Sequence, residues 1–321
     1  MTSRSLSISS SERLVLQVTN FYRQPLLQNG GECLLGKENS IEESPKAYYN
    51  SHGLTQVKDN SMKVVILCGG QGTRIRDVSE NIPKPMIPLG GYPILWHIMK
   101  YYAQWGHQDF VLCLGYKGQV IKDFFLSYEA HTTDFTITLG RQKSVVYHNE
   151  HAESAWNVTL AETGQEAMTG ARVRKVAKYL PGGDDFLLTY GDGVGDVDID
   201  RLLRFHQAHG KILTVTGVRP PGRFGELMHD SSGMVTEFNE KPQASGGRIS
   251  GGFFVCRKEI FNYLDNREDL IFEIEPMRRL VRDGQMMVFE HDGFWQPMDT
   301  YRDFHFLNDL CDKGAAPWMK W

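Results

Sequence analysis

The chain has few cysteines, five in 321 residues, and no two of them are closely spaced. A disulfide framework and a Cys-rich zinc site are therefore not expected, and the sequence reads as one suited to the cytoplasm. It also lacks a cationic excess: 35 Lys and Arg stand against 39 Asp and Glu, a formal net charge of −4. Non-specific nucleic-acid binding, which needs a basic surface, finds no support, and no nucleic-acid partner is expected. No apolar run of about 18 residues occurs, so no membrane-spanning helix is expected. A G-x-S-x-G nucleophile elbow and a repeat of fixed period are also missing. His148 and His151 sit three apart, without the Glu or Cys pattern that would make them zinc ligands.

What is present is ordinary globular composition, 41% hydrophobic and 23% charged. The length suggests about two domains, or one large α/β fold. Residues 1–61 read as an N-terminal extension, disordered or loosely attached: Met1–Ser11 is serine-rich, and Gln28–Ser44 is polar with two glycine breaks. Residues 62–321 read as the folded domain. Lys63–Cys68, Phe110–Leu114, Phe186–Tyr190 and Ile212–Val218 are apolar runs of strand length. Residues 93–105, Val120–Tyr128 and Asp200–His209 carry helical spacing between them. That alternation predicts an α/β fold with a mainly parallel sheet flanked by helices. Farther on, Phe253–Val255 and Met286–Glu290 read as strands and Arg302–Leu310 as a closing helix. Another helix is expected over Ile271–Asp283, with Ile274, Met277, Leu280 and Val281 on its stripe.

Three places carry candidate chemistry. The first is Gly69-Gly70-Gln71-Gly72-Thr73-Arg74, directly after a buried strand and so at the sheet's carboxyl edge, where open α/β sheets bind ligands. Its glycines allow close approach to a phosphate, or make a plain tight turn. It is neither the dinucleotide fingerprint nor a Walker A loop. Lys84 follows, braced between Pro83 and Pro85. Two unit charges ~4 Å apart interact by about 4 kcal/mol at an effective dielectric of 20, so two phosphate-bearing substrates need such cations to meet. The second is Gly191-Asp192-Gly193, which ends another apolar strand at the same edge and suits either a turn or a magnesium carboxylate. A partner carboxylate is needed; Asp299 is a candidate that spacing alone does not single out. The third is Glu240-Lys241-Pro242 with Gly251-Gly252 beyond it, either a surface ion pair before a turn or a place for a sugar phosphate. Cys68 and Cys113 read as inert core thiols, and Trp295, Trp318 and Trp321 as packing or interface residues.

Together, the glycine loop and Pro83-Lys84-Pro85 resemble the signature of the sugar-1-phosphate nucleotidyltransferases. Further segments, Pro93–Lys100, Trp156–Leu160, Phe205–Gly210, Pro221–Gly225 and Phe294–Thr300, resemble the branch of that family that uses CTP and glucose 1-phosphate. The resemblance runs from Met62 to Trp321. It implies a Rossmann-like nucleotidyltransferase fold, CTP and glucose 1-phosphate as small-molecule substrates, CDP-glucose and pyrophosphate as products, Mg²⁺ as cofactor and a homo-oligomer. It also implies a place in deoxy-sugar and surface-polysaccharide synthesis. Carried over residue by residue, Gly69, Gly70, Gly72, Thr73 and Arg74 are expected to hold the nucleotide, with Thr169, Gly170, Arg172 and Gly191. Arg74 and Lys84 are the expected catalytic cations, and Asp192 and Asp299 the expected metal ligands. Glu240, Lys241, Gly251 and Gly252 are the expected sugar-phosphate site. Cys68 and Ser250 depart from the family's usual alanine and asparagine, and the extension before Met62 is foreign to its pattern. The residues leave open UTP or dTTP in place of CTP, and a non-catalytic sugar-nucleotide-binding subunit.

Overall fold

The computed structural model describes residues 61–70, 82–140, 143–180, 185–220, 226–239 and 247–321. The extension, Gly72, Thr73, Arg74, Glu240, Lys241 and the segment 221–225 lie outside the described residues. Contacts divide the chain into Met1–Asn60 and Ser61–Trp321, and all of the described residues belong to the second unit.

The centre of that unit is an eight-stranded sheet. In chain order the strands are β1 (Lys63–Leu67), β2 (Asp109–Leu114), β3 (Asn157–Glu162), β4 (Phe186–Tyr190), β5 (Leu213–Val218), β6 (Ile249–Ser250), β7 (Phe254–Cys256) and β8 (Met286–His291). Across the sheet the order is β6-β5-β7-β4-β1-β2-β3, with β8 also on β5. The pairs β1/β2, β1/β4, β2/β3 and β5/β8 are parallel, and β7 joins the two halves antiparallel to both β4 and β5. The mainly parallel mixed sheet expected from the alternation is what forms.

β1 shows why. Val64 and Ile66 point into one apolar cluster with α1 (Ile94–Gln104), while Val65 and Leu67 point into a second cluster on the opposite face with α3 (Thr169–Lys175). A strand buried on both faces has no polar alternation to keep, hence its continuous apolar run. α1 buries Ile94, Leu95, Ile98, Met99 and Tyr102 on its stripe. The remaining helices of note are α2 (Gly118–Leu126), α4 (Ile199–His209), α5 (Glu275–Arg282) and α6 (Tyr301–Asp312).

Three expectations shift. The helix expected over Ile271–Asp283 begins only at Glu275, with Pro276 in its first turn. Met277 and Leu280 are buried, but Ile274 and Val281 are exposed. Proline suits a first turn and not a helix interior, so the start moves to it. Phe253 is not in a strand: with Gly252 it takes positive φ, and β7 begins only at Phe254. The helix expected over Val120–Tyr128 ends at Leu126, and Tyr128–Thr132 forms a separate short turn of helix.

Candidate active site

The parallel neighbours β1 and β4 run side by side, so their carboxyl ends lie together. Gly69-Gly70 leaves from one and Gly191-Asp192 from the other. The Gly191 N–H donates to the Leu67 carbonyl at 3.0 Å, and a Cβ at Gly191 would stand 2.9 Å from that oxygen. Only glycine lets Asp192 turn this tightly over β1.

Lys84 enters from a short 3₁₀ turn, Lys84–Met86, closed by the Met86 N–H on the Pro83 carbonyl at 2.8 Å. Its side chain reaches inward and is 9% exposed as a residue. The ammonium donates to Asp192 Oδ2 at 2.6 Å and to Asp299 Oδ1 at 2.5 Å. Burial by itself lowers the lysine's proton affinity; the charges and hydrogen bonds of Asp192 and Asp299 outweigh it, and the net direction is up. Lys84 is held charged at this spot.

Asp299 arrives by a separate route. Gly193–Gly195, just past Asp192, pairs antiparallel with Trp295–Pro297, and the Met298 N–H donates to the Asp192 carbonyl at 2.8 Å. One residue on, the Asp299 N–H donates to Asp303 Oδ2, and Thr300 with Asp303 forms a capping box that starts α6. The two carboxylates therefore face one another across Lys84 because a small ladder and a helix cap hold their backbones.

Arg172, on α3, turns inward toward the end of β1. Its guanidinium packs against Gly69, and the residue is 4% exposed. It donates to the carbonyls of Leu114, Gly164, Gln165 and Gly69 and to Thr163 Oγ1, at 2.7–3.2 Å. A Cβ on Gly69 would fall 2.1 Å from the guanidinium carbon. Arg172 thus ties the ends of β1 and β2 to the 163–165 turn. Burial lowers its pKa from the usual value.

Thr169 and Gly170 open the same helix. Thr169 Oγ1 donates to Glu273 Oε2 at 2.6 Å and accepts from the Phe272 N–H, and the Gly170 N–H donates to the Leu270 carbonyl. Tyr190, two residues before Asp192, donates to the other oxygen of Glu273 at 2.5 Å. Its ring also packs where a Cβ on Gly252 would sit, at 3.0 Å. Glu273 and Tyr190 carry no motif, and no signal in the sequence pointed to them. The Trp295 indole N–H donates to the Gly251 carbonyl at 2.8 Å, so this tryptophan supports the glycine pair from below. Gly251 and Gly252 lie between β6 and β7, beside the ends of β4 and β5.

Of the nucleotide, catalytic and metal residues expected from the sequence, the structure brings Gly69, Gly70, Lys84, Gly191, Asp192 and Asp299 to one edge. Cys68 and Cys113 are buried, and burial pushes both thiols up, Cys113 to about 12. His151 Nδ1 accepts from the Glu153 N–H, and His148 meets Thr136. Among the described residues no group of three or more His, Cys, Asp or Glu is arranged to hold a metal ion. Nor is any described helix long and apolar enough to cross a membrane.

The family model described as "Nucleotidyl transferase" matches residues 63–310. A glucose-1-phosphate cytidylyltransferase of Salmonella typhi is 48% identical over 260 residues, covering 81% of this chain and all of the relative. A mannose-1-phosphate guanyltransferase of Gibberella zeae is 29% identical over 266 residues, 79% of this chain and 66% of the relative. The crystal structure of HddC from Yersinia pseudotuberculosis superposes with a TM-score of 0.56 at 23% identity, covering 79% of this chain and 99% of the other, and supports the fold. With the family model spanning nearly all of the described body, and Gly69-Gly70, Lys84 and the paired aspartates at one sheet edge, the chain belongs to the nucleotidyl transferase family.

Proposed function

We propose that this chain transfers the cytidylyl group of CTP to glucose 1-phosphate, forming CDP-glucose and pyrophosphate. The observation that carries the chemistry is the convergence of Lys84, Asp192 and Asp299 at the carboxyl edge of β1 and β4. The choice of substrates is supported by the cytidylyltransferase relative, matched along its whole length at 48% identity, against 29% for the guanyltransferase.

In this reading an oxygen of the sugar's phosphate attacks the α-phosphorus of CTP in line, and pyrophosphate leaves. The incoming phosphate is already anionic, so no general base and no covalent enzyme intermediate are needed. The protein's part is positioning and charge stabilisation. Backbone N–H groups of Gly69 and Gly70, kept in place by Arg172, cradle phosphate. Lys84 meets the negative charge of the reacting phosphates. The sugar lies toward Gly251 and Gly252, beside the ends of β4 and β5.

The donor set suits a divalent ion. Asp192 and Asp299 each direct one oxygen at a single cationic point, now the Lys84 ammonium, and magnesium takes one or two carboxylates with phosphates and water for the remainder. When bound there, the ion neutralises phosphate charge. Asp192 and Asp299 hold it, and Asp303 fixes the Asp299 backbone.

A panel of CTP, UTP, dTTP and GTP with glucose 1-phosphate, scored by pyrophosphate release, tests the reading. CTP is expected to be used best. Preference for another nucleotide overturns the cytidylyl assignment, and release with none overturns the catalytic one.

A further inference from the structure

We propose that Lys84 is a built-in stand-in for the divalent ion. Before nucleotide arrives, its ammonium occupies the place between Asp192 and Asp299 where the ion belongs, and the ion enters only by expelling it. The inference rests on the reading of these two aspartates as the metal carboxylates.

The geometry leads there directly. Lys84 Nζ contacts Asp192 Oδ2 at 2.6 Å and Asp299 Oδ1 at 2.5 Å. A magnesium ion bound by those same oxygens sits about 2.0–2.1 Å from each, a position that the ammonium already fills. Lysine and ion are alternatives. The arrangement also explains how two carboxylates stay close in the absence of metal. Asp192 is anchored by the end of β4 and by the Met298 N–H on its carbonyl, Asp299 by Asp303 and the α6 cap. With both backbones fixed, the pair cannot separate to relieve its repulsion, and the ammonium supplies the missing positive charge. Pro83 precedes the short turn and Pro85 lies within it, so the lysine's base is fixed while its four-carbon arm can swing.

The consequence is an order of events. On the free enzyme a divalent ion must take Asp192 and Asp299 away from the Lys84 ammonium, which loses both charge-assisted hydrogen bonds, so bare metal binds weakly. A triphosphate changes this: it gives the expelled ammonium an anionic partner and gives the ion oxygen ligands. Metal entry and the delivery of Lys84 to the phosphates are then one exchange of partners. In net charge, two carboxylates and one ammonium give −1 before the exchange; afterwards the carboxylates and the ion sum to zero and the ammonium's charge is carried to the phosphates.

The test is Mn²⁺ binding to the full chain without nucleotide, read from the electron paramagnetic resonance of the free ion, in wild type, Lys84→Met and Asp192→Asn. An occupant present in roughly nine molecules of ten weakens apparent affinity about tenfold, so Lys84→Met is expected to bind Mn²⁺ about tenfold more tightly than wild type. Lys84→Gln carries the same expectation if the methionine variant does not fold. A second readout separates displacement from plain charge repulsion. In ¹⁵N-lysine spectra of the wild type, the Lys84 ammonium, held in two ion pairs and largely buried, gives a slowly exchanging signal that is missing from the variant. Saturation with Mg²⁺ is expected to remove it. Equal Mn²⁺ affinity in wild type and variant, or a Lys84 signal that persists at Mg²⁺ saturation, overturns the stand-in role. Mn²⁺ binding unaffected by Asp192→Asn instead removes the metal site on which the inference rests, and so tells the two failures apart.

Discussion

Lys84 and Arg172 are both buried cations, yet they are paired in opposite ways. Lys84 faces two carboxylates, whereas Arg172 faces four backbone carbonyls and a threonine hydroxyl. The difference teaches what each can do. A compact ammonium between two anions can be exchanged for another cation, and its carboxylates keep it protonated despite burial. A planar guanidinium with its donors spread over neutral oxygens from three segments has no substitute. It stays charged because arginine cannot deprotonate in a protein, and it acts as a clasp. His97 is the limiting case of a buried base with only neutral partners. The Trp318 indole N–H points at its Nδ1 and its Nε2 meets the Leu89 carbonyl, so the ring is a neutral Nε2–H tautomer. Burial moves its pKa down to about 4.

The largest expected effect that separates the two cations is on stability. Arg172→Met strips the donor from five acceptors and is expected to cost roughly 3–5 kcal/mol in denaturant unfolding. An unchanged midpoint would mean that the clasp does not hold the ends of β1 and β2 to the 163–165 turn. Lys84→Ala is expected to show the reverse pattern, a fall in turnover of roughly 10²–10³ by pyrophosphate release with the fold retained by circular dichroism. Wild-type turnover would remove Lys84 from the reacting centre.

Acid should report on His97. Because its folded pKa lies below the ordinary 6.5, the unfolded chain binds more protons between the two values, and stability falls as pH falls through that window. The loss expected from this group between pH 6.5 and 4 is on the order of 2–3 kcal/mol. His97→Gln should flatten that slope, and an identical slope in the variant would assign the acid sensitivity elsewhere.

Smaller effects lie at the edge of the site. Glu273→Gln loosens the carboxylate that joins Thr169 to Tyr190 and is expected to lower kcat/KM roughly fivefold, about 1 kcal/mol. A change in KM for only one of the two substrates would show which side of the cleft the bridge serves. Smallest of all, a chain beginning at Met62 is expected to turn over like the full chain, since both cations and both aspartates lie beyond that point. A marked loss would give the first sixty-one residues a part in the chemistry.

Much of the fold was legible along the chain. Phe186–Tyr190 forms the expected strand, and the runs at Lys63 and Phe110 do so within a residue, because a strand buried on both faces must be apolar throughout. β3 escaped notice: Asn157–Glu162 is half-buried, with only Ala161 fully covered, and mixes Asn, Thr and Glu with its apolar residues. Lys84 stood out through its flanking prolines, and Asp192 through its place after a strand. Asp299 is separated from Lys84 by 215 positions and its neighbourhood has no local pattern that marks a ligand. Arg172 reads as one more cation in a basic helix, and nothing nearby in sequence indicates that it turns inward.

The sequence by itself determined the alternation of elements, the glycines at two strand ends and the residue types able to handle phosphate, since these depend on each residue and its near neighbours. The tertiary structure alone decided which carboxylate completes the pair and which cation faces it. That choice follows from β1 lying beside β4, and from Gly193–Gly195 meeting Trp295–Pro297, contacts between distant segments that only the packing of the whole domain brings within hydrogen-bond reach.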